Sequence, residues 1–508
     1  MTGKVWLVGA GPGDAGLLTL RGKEVLQEAE VVVYDALISP GVLSLIPDAA
    51  RVIYAGKRAG KHTFPQSEIN RVLLEEAQKG LRVVRLKGGD PFLFGRGGED
   101  LEALAANGIP FEIVPGVTSA FAVPAYNGIP VTHRGVSSGV HILTGHRKAD
   151  GALDINFEAL AQVGGTLVFL MGVASLSEIV GGLLGAGMNP DTPSAALERG
   201  ATASQRRISA PLSALETACA SENLQPPAVL VVGEVCALAD KFAWYEKRPL
   251  AGVCVLVTRP KEAGSALSEL LRRDGAEVLE LPAIVTTPVD GNKPLSDSIR
   301  QLERGAYDWL VFTSPRGVQV FFETLLEVSD IRALGGVRVA AIGEGTRKAL
   351  ARYGVKADFL PSVYDAETLG RELAQVCADN ARILIPRARI GSPALIRELN
   401  HGGRFQITDL PVYDTLYAAS RVIDAKSLLE RGEVDFAVFT SASTVRGFVG
   451  AVGDVDFSKV RAVCIGKQTQ AAALEYGMRT WVSEKATLQS LSERVRTAAA
   501  EMRSVTES

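Results

Sequence analysis

The fold of the first half is decided by residues 83–99, VVRLKGGDPFLFGRGGE. Its β-branched start is typical of a buried strand, and its glycine-dense continuation is typical of a long loop. Similar strand-like runs recur on both sides, with helix-like segments such as 17–30 and 68–79 between some of them. This alternation predicts α/β layers. The predicted strands lie at residues 5–8, 31–34, 83–86, 140–143, 167–170 and 229–232.

A glycine-rich turn at residues 9–14, GAGPGD, follows the first of these strands. Glycines at such a turn let the backbone approach a nucleotide-sized ligand closely. A dinucleotide site is one interpretation, in which Asp35 after the next strand would bind a ribose. Against it, Asp14 replaces the third glycine of that motif, and Pro12 removes a backbone donor for a pyrophosphate. From this loop alone, either kind of nucleotide ligand stays open.

Four further runs extend the pattern: 32–37 (VVYDAL), 83–99, 114–120 (VPGVTSA) and 128–134 (GIPVTHR). With GAGPGD they resemble the uroporphyrinogen-III C-methyltransferase family over residues 3 to about 245. The resemblance implies a two-lobed tetrapyrrole-methylase fold that holds S-adenosylmethionine between its lobes. The residues that it places at this cofactor are Pro12, Gly88, Gly89, Asp90, Leu93, Thr118, Ser119, Met171 and Gly200.

The same resemblance implies that uroporphyrinogen III is methylated at two pyrrole carbons to give precorrin-2. Asp35 matches the family's base and Lys57 its proton donor, and a positioned carboxylate suits proton abstraction. Arg58 and Lys61 lie in the same basic loop and could bind the carboxylates of the substrate. A solvated surface run is the alternative for this loop. Met171 could likewise be a core methionine, although it directly follows a strand.

The second half follows a charged, proline- and glycine-containing stretch, residues 246–252, and contains an internal repeat. Residues 307–314, YDWLVFTS, return as 434–441, VDFAVFTS; residues 337–343, VRVAAIG, return as 460–466, VRAVCIG. Two similar α/β lobes predict a cleft between them, and such clefts commonly bind ligands. A duplicated structural unit without a site is the alternative.

This repeat, with residues 257–260 (VTRP) and 411–415 (PVYDT), resembles the uroporphyrinogen-III synthases over residues 252 to about 497. The resemblance implies closure of hydroxymethylbilane to uroporphyrinogen III, with loss of water and inversion of ring D. Tyr413 is the candidate general acid, and a tyrosine packed at a lobe junction is the alternative. Candidate groups for substrate carboxylates are Thr313, Ser314, Thr346, Thr440, Ser441, Thr469, Arg316, Arg387 and Arg389.

Together these observations predict a methyltransferase domain at 1–245, with lobes of about 1–117 and 118–245, then a linker at 246–252. A synthase domain is expected at 253–497. One of its lobes is about 253–283 plus 415–497, and the other is 286–412. Residues 498–508 are expected to form a tail.

Composition narrows the function further. A net charge of -3 gives no support for a nucleic-acid partner, since such partners leave a basic footprint. The five cysteines form no C-x-x-C pair, and His133 and His141 lack ligand-spaced partners, so no metal is expected. No leader or membrane-length apolar run is found. We expect a cytoplasmic enzyme with small tetrapyrrole substrates that forms a homodimer through its methyltransferase half.

Two alternatives remain open at this point. The first half could methylate another acceptor, such as RNA or protein, with the same fold. The second half could be a non-catalytic two-lobed module that only binds a ligand.

Overall fold

The structure, a computed structural model, describes residues 2–56, 65–147, 151, 153–258, 261–417 and 422–506. Its strands form four five-stranded sheets with helices packed against them, which confirms the predicted α/β class. The chain divides into two compact units. The first comprises Met1–Leu256, Ser268–Glu280 and Arg421–Phe436, and the second comprises Val257–Leu267, Leu281–Ser420 and Ala437–Ser508. The domain limits given above stay predictions.

The first sheet is entirely parallel, with the strand order β3-β2-β4-β1-β5. Its strands are β1 (Lys4–Gly9), β2 (Val31–Tyr34), β3 (Arg51–Tyr54), β4 (Arg82–Lys87) and β5 (Phe111–Val114). Its helices are α1 (Leu20–Gln27), α2 (Pro40–Leu43), α3 (Gln66–Gln78) and α4 (Gly97–Ala106). The first two helices pack on one face and the last two on the other. Because both faces are buried, the strands are nearly continuous apolar runs.

Helix α1 is shorter than the helix-like segment predicted at 17–30. Residues Ala15–Leu17 form a separate 3₁₀ turn, and α1 begins only at Leu20. The cause is local, because the Thr19 hydroxyl accepts a hydrogen bond from the backbone N–H of Gly22 (3.0 Å) and caps the helix there. The segment predicted at 68–79 is confirmed as α3.

The second sheet has the order β6-β7-β10-β8-β9, in which only β6 and β7 run parallel. Helix α5 packs on one face through Ala120 and Val123, and α7 and α8 pack on the other. Its strands are β6 (Val140–Thr144), β7 (Thr166–Leu170), β8 (Pro193–Glu198), β9 (Arg206–Pro211) and β10 (Ala228–Val232). The helices of this region are α5 (Ser119–Tyr126), α6 (Phe157–Val163), α7 (Leu176–Gly185) and α8 (Leu215–Ser221).

The third sheet has the order β12-β11-β18-β19-β20. Its strands are β11 (Cys254–Val257), β12 (Glu277–Glu280), β18 (Phe436–Phe439), β19 (Arg461–Cys464) and β20 (Arg479–Val482). The accompanying helices are α9 (Lys261–Arg273), α15 (Ala425–Glu430), α16 (Ala442–Val452), α17 (Lys467–Leu474) and α18 (Leu488–Thr506). Helix α18 continues through residues 498–506, where we expected a tail, and its Ala498 and Ala499 are buried.

The fourth sheet has the order β13-β17-β16-β14-β15, with β13 antiparallel to β17 and the other pairs parallel. Its strands are β13 (Ile284–Pro288), β14 (Trp309–Phe312), β15 (Arg338–Ala341), β16 (Arg382–Ala388) and β17 (Gln406–Tyr417). Its helices are α10 (Lys293–Glu303), α11 (Pro315–Val328), α12 (Glu344–Arg352), α13 (Ala366–Val376) and α14 (Ala394–Leu399). The remaining 3₁₀ turns are Val173–Ser175, Leu212–Ala214, Glu234–Leu238, Ile331–Leu334, His401–Gly403 and Phe457–Lys459.

The internal repeat is present in the structure. The succession β14-α11 matches β18-α16, and β15-α12 matches β19-α17. Both α11 and α16 are capped by the serine of the repeated TS pair, Ser314 and Ser441, whose hydroxyls accept from the backbone N–H three residues on. Among the described residues, no helix is both long and apolar enough to cross a membrane.

Candidate functional site

A cavity of about 1380 Å³ lies within the first compact unit. Its wall includes the loops that follow β1, β2 and β4. These loops lie at the carboxyl edge of the first sheet, which is where ligands bind open α/β sheets. Asp35 and all nine residues predicted at the cofactor line it: Pro12, Gly88, Gly89, Asp90, Leu93, Thr118, Ser119, Met171 and Gly200. The structure thus brings together residues spread over nearly 190 positions of the chain.

Three glycines meet backbone to backbone beside this cavity. A Cβ atom on Gly116 would lie 2.2 Å from the carbonyl oxygen of Gly89, and one on Gly9 would lie 2.5 Å from the Gly116 Cα. Gly89 also has a left-handed φ of +65° and exchanges two hydrogen bonds with Gly11 (3.2 and 2.8 Å). No side chain fits between these segments, so glycine is required at the ends of β1 and β5.

The carboxylate of Asp90 holds this arrangement together. One oxygen accepts from the backbone N–H of Phe92 (2.8 Å) and the other from that of Gly116 (3.0 Å). Asp90 therefore joins the loop after β4 to the loop after β5. Thr118 continues this second loop and caps α5 by accepting from the Ala120 N–H (3.2 Å).

Backbone strain is concentrated on the cavity wall. Four non-glycine residues there have left-handed φ values of 46° to 56°: Phe94, Arg96, Met171 and Arg199. Such conformations cost about 1–3 kcal/mol each and occur mainly at functional sites. Met171 is half-exposed. The alternative that it fills a gap in the core is therefore wrong.

Asp35 presents its carboxylate to the cavity from the end of β2. One oxygen accepts from the Leu37 N–H (3.1 Å), and the other lies 3.6 Å from a guanidinium nitrogen of the buried Arg85. These contacts orient the carboxylate and leave it partly accessible.

Two buried cations on β4 were not predicted. Arg85 and Lys87 both line the cavity, and the Lys87 ammonium donates to the fully buried Asp100 carboxylate (2.9 Å), which also accepts from Gln66. Burial and the neighbouring positive charge of Arg85 lower the pKa of Lys87. The detectable signal was the presence of two charges inside the otherwise apolar strand VVRLK.

Three predicted residues, Lys57, Arg58 and Lys61, lie outside the described residues. Among the residues that the structure describes, no group of three or more His, Cys, Asp or Glu side chains could hold a metal ion.

In the second half, the structure brings Tyr413 and Ser314 together. The Tyr413 hydroxyl lies 3.0 Å from the Ser314 hydroxyl, which also caps α11 by accepting from the Gly317 N–H (3.0 Å). Tyr413 belongs to the core of the fourth sheet, and burial raises the pKa of its hydroxyl. The tyrosine is thus both a packing residue and a proton-bearing group.

The hydroxyl candidates occupy equivalent places in the two copies of the repeat. Thr313 and Thr440 directly follow β14 and β18, and Thr346 and Thr469 lie buried in the first turns of α12 and α17. Ser441 caps α16. The repeat therefore places all of these hydroxyls beyond the carboxyl ends of parallel strands.

The arginine candidates differ in availability. Arg387 makes a bidentate pair with Asp409 (2.6 and 2.6 Å), and Arg389 pairs with Asp414 (2.7 Å). These guanidinium groups already bind protein carboxylates. Arg316 donates to the Thr286 carbonyl (3.3 Å), and its buried Nε has no partner among the described residues.

Comparison with known proteins identifies the family. Residues 4–216 match the tetrapyrrole (corrin/porphyrin) methylases, and residues 265–493 match uroporphyrinogen-III synthase HemD. The porphyrin biosynthesis protein HemD of Ruminiclostridium josui is 43% identical over 490 residues, which cover 96% of this chain and 97% of that protein. The chain belongs to the family of this porphyrin biosynthesis protein. It is a bifunctional enzyme of tetrapyrrole biosynthesis that combines a methyltransferase with a uroporphyrinogen-III synthase.

Other similarities cover the methyltransferase region. A siroheme synthase of Edwardsiella ictaluri is 51% identical over 243 residues, 48% of this chain and 52% of that protein. The chain thus spans about half the length of this relative. A crystal structure of uroporphyrin-III C-methyl transferase from Thermus thermophilus with S-adenyl homocysteine is 42% identical. It has a TM-score of 0.40 and covers 46% of this chain and 93% of its own.

We predict that Gly116→Ala destabilises the first unit, because its new Cβ would overlap the Gly89 carbonyl. Overpacking of this kind costs about 1–3 kcal/mol. Scanning calorimetry should show a lower unfolding midpoint. Gly98→Ala is the matched control: Gly98 lies in α4 with no heavy atom within 4 Å of its Cβ position, so its midpoint should hold or rise. A Gly116→Ala midpoint equal to that of wild type would contradict the packing argument.

Proposed function

We propose that the cavity of the first unit binds S-adenosylmethionine and methylates uroporphyrinogen III twice to give precorrin-2. The second half would supply this substrate by closing hydroxymethylbilane with inversion of ring D. The observation that carries the first assignment is the presence of nine predicted cofactor residues and Asp35 on one cavity wall. The order of the two reactions follows because the product of the second half is the substrate of the first.

The residues present fit this cofactor. The cavity volume of about 1380 Å³ exceeds what a nucleoside-sized ligand needs and leaves room for a macrocycle beside it. Gly88 and Gly89 leave room for the ligand because they carry no side chain, while Leu93 and Met171 offer apolar contact. When bound, S-adenosylmethionine supplies an electrophilic methyl group.

Asp35 would act as the base in this reaction. Once a pyrrole carbon of the substrate has gained the methyl group, a proton must leave the macrocycle. The Asp35 carboxylate, oriented by Leu37 and Arg85, would accept that proton at its free lone pairs. Lys57 remains the proposed proton donor, and Arg58 and Lys61 remain the proposed contacts for substrate carboxylates.

In the second half, Tyr413 would protonate the hydroxyl group that leaves hydroxymethylbilane as water. The phenol of a tyrosine is protonated at neutral pH, and the Ser314 hydroxyl, 3.0 Å away, would fix its direction. The hydroxyls of Thr313, Thr346, Thr440, Ser441 and Thr469 would bind substrate carboxylates and help to fold the chain of four pyrroles.

We also infer a homodimer formed through the methyltransferase half and a cytoplasmic location. The five cysteines support the second inference, since all are free and buried, as expected of a reducing compartment. The mass of the chain in solution, measured by light scattering, tests the first.

The central experiment supplies the purified chain with hydroxymethylbilane and S-adenosylmethionine. We expect precorrin-2, and uroporphyrinogen III alone when S-adenosylmethionine is left out. Chromatography and absorption spectra distinguish these products from the type I isomer. Unmethylated product in the presence of the methyl donor would refute the first assignment, and type I isomer alone would refute the second.

We predict that Asp35→Asn binds S-adenosylmethionine with nearly wild-type affinity but methylates at least ~100-fold more slowly. The amide keeps the shape of the carboxylate but cannot accept the proton, and acid–base catalysis contributes about 100- to 10,000-fold. Calorimetry measures the affinity, and steady-state kinetics measure the rate. The exposed Asp191→Asn serves as the control. A loss confined to cofactor affinity would instead identify Asp35 as a ribose ligand.

We predict that Tyr413→Phe slows formation of uroporphyrinogen III by about 100-fold, near the low end for acid catalysis, because the leaving hydroxyl is labile. Type I isomer from spontaneous closure should then appear, and methylation of supplied uroporphyrinogen III should not change. Tyr307→Phe is the matched control, since Tyr307 is a buried tyrosine of the same hydrophobic core whose hydroxyl donates to Gln301 (3.1 Å). Equal rates for the two variants would show that Tyr413 contributes packing and no acid catalysis.

A further inference from the structure

A hydrogen bond within the first compact unit joins the two regions that match different families. The backbone N–H of Ala203 donates to a carboxylate oxygen of Glu277 (2.8 Å), 74 residues further along the chain. Ala203 lies in the region that matches the methylases, and Glu277 begins β12 in the region that matches the synthase. Both residues line the cavity described above.

Ala203 belongs to the loop of residues 199–205 between β8 and β9, which also contains Gly200. This loop is strained, since Arg199 and Ala201 have left-handed φ values of 46° and 62°. Such conformations persist only where the surroundings impose them. Part of that constraint comes from Gln205, which accepts from the Ala201 N–H (2.9 Å) and donates to the Tyr126 carbonyl (3.1 Å).

Glu277 supplies a second constraint from outside the loop. Among the described residues, no basic side chain pairs with this half-buried carboxylate. Burial raises the pKa of Glu277, and the negative charges of Asp14 and Glu433 raise it further. The hydrogen bond from the Ala203 N–H acts in the opposite direction and lowers the pKa. A carboxylate in such surroundings gains most from the backbone N–H that it accepts, because bonds to an ionised acceptor are strong.

The strand that carries Glu277 is itself held close to the cofactor residues. The backbone N–H of Glu277 donates to the Val253 carbonyl (2.9 Å), and the Leu250 N–H donates to the Asp274 carbonyl (2.8 Å). Just before these residues, the Tyr245 ring lies 5.1 Å from the Tyr126 ring at the end of α5, the helix that begins at Ser119. Glu277 therefore approaches the loop from a fixed support.

We propose that Glu277 is a positioning residue for the cofactor-binding loop at 199–205, so that the synthase region of the chain helps the methyltransferase to hold its methyl donor. This inference rests on the proposed S-adenosylmethionine site. Without the Glu277 carboxylate, the loop would have to be ordered when the cofactor binds, and the affinity would fall. The chemical step, which uses Asp35, would be unaffected.

The test compares Glu277→Ala with Glu277→Gln in the full chain, because the glutamine oxygen can still accept from Ala203. We expect Glu277→Ala to raise the KM for S-adenosylmethionine about 3- to 10-fold, as loss of one hydrogen bond predicts, with kcat within twofold of wild type. Glu277→Gln should stay near wild type. Glu280→Ala is the control on the same strand, where the carboxylate pairs with Arg272 (3.4 Å) and not with the loop.

Hydrogen exchange of residues 199–205 without S-adenosylmethionine gives a second readout, and it should be faster only in Glu277→Ala. An unchanged KM in Glu277→Ala, or an equal rise in KM in the Ala and Gln variants, would overturn this inference and leave the proposed function standing. A wild-type chain that binds no S-adenosylmethionine would overturn the proposed function itself. If Glu277→Ala does not fold, Glu277→Asp replaces it, because the aspartate side chain is one methylene shorter and its carboxylate does not reach the Ala203 N–H. The inference requires the same rise in KM for this variant.

Discussion

The contact among Gly9, Gly89 and Gly116 is the constraint on which the cavity of the first unit depends. Three parallel strands end at the same edge of the first sheet, and their following loops approach to backbone contact because none carries a side chain there. Asp90 then fastens two of the loops together. This arrangement sets where α5 begins and leaves the space next to it open.

Charge inside β4 is the second organising feature. Buried ion pairs contribute little net stability, because the cost of desolvation offsets most of the attraction. Arg85 and Lys87 are nevertheless both buried on this strand, next to Asp35 and Asp100. Arg85 lies beside the Asp35 carboxylate and Lys87 beside that of Asp100, so this strand holds two carboxylates in place at the cavity.

Most of the local structure could be predicted from residues near one another in sequence. The buried strands at 5–8, 31–34 and 83–86 follow from their β-branched runs, and the repeat in the second half follows from direct comparison of its copies. The start of α1 was placed too early because the periodic pattern continues upstream of the Thr19 cap.

Contacts between distant segments could not be predicted in the same way. Arg387 and Arg389 looked available for substrate because their carboxylate partners, Asp409 and Asp414, lie on a neighbouring strand. The bond from Ala203 to Glu277 has no local signal at all, since it depends on how β12 is placed. Similarity to a family supplied the predicted cofactor residues, but the contacts around them required coordinates.

The repeated serine caps have a consequence for what folding alone demands of the two copies of the repeat. Ser314 and Ser441 each start a helix, and loss of such a cap costs about 1 kcal/mol. Folding alone therefore favours both hydroxyls, whatever either copy of the repeat does to the substrate. The hydroxyl of Tyr413 caps no helix among the described residues, so helix capping gives no reason to keep it. A chain that no longer closed its substrate would therefore still need the paired serines for folding, whereas at Tyr413 it would need only the packed ring.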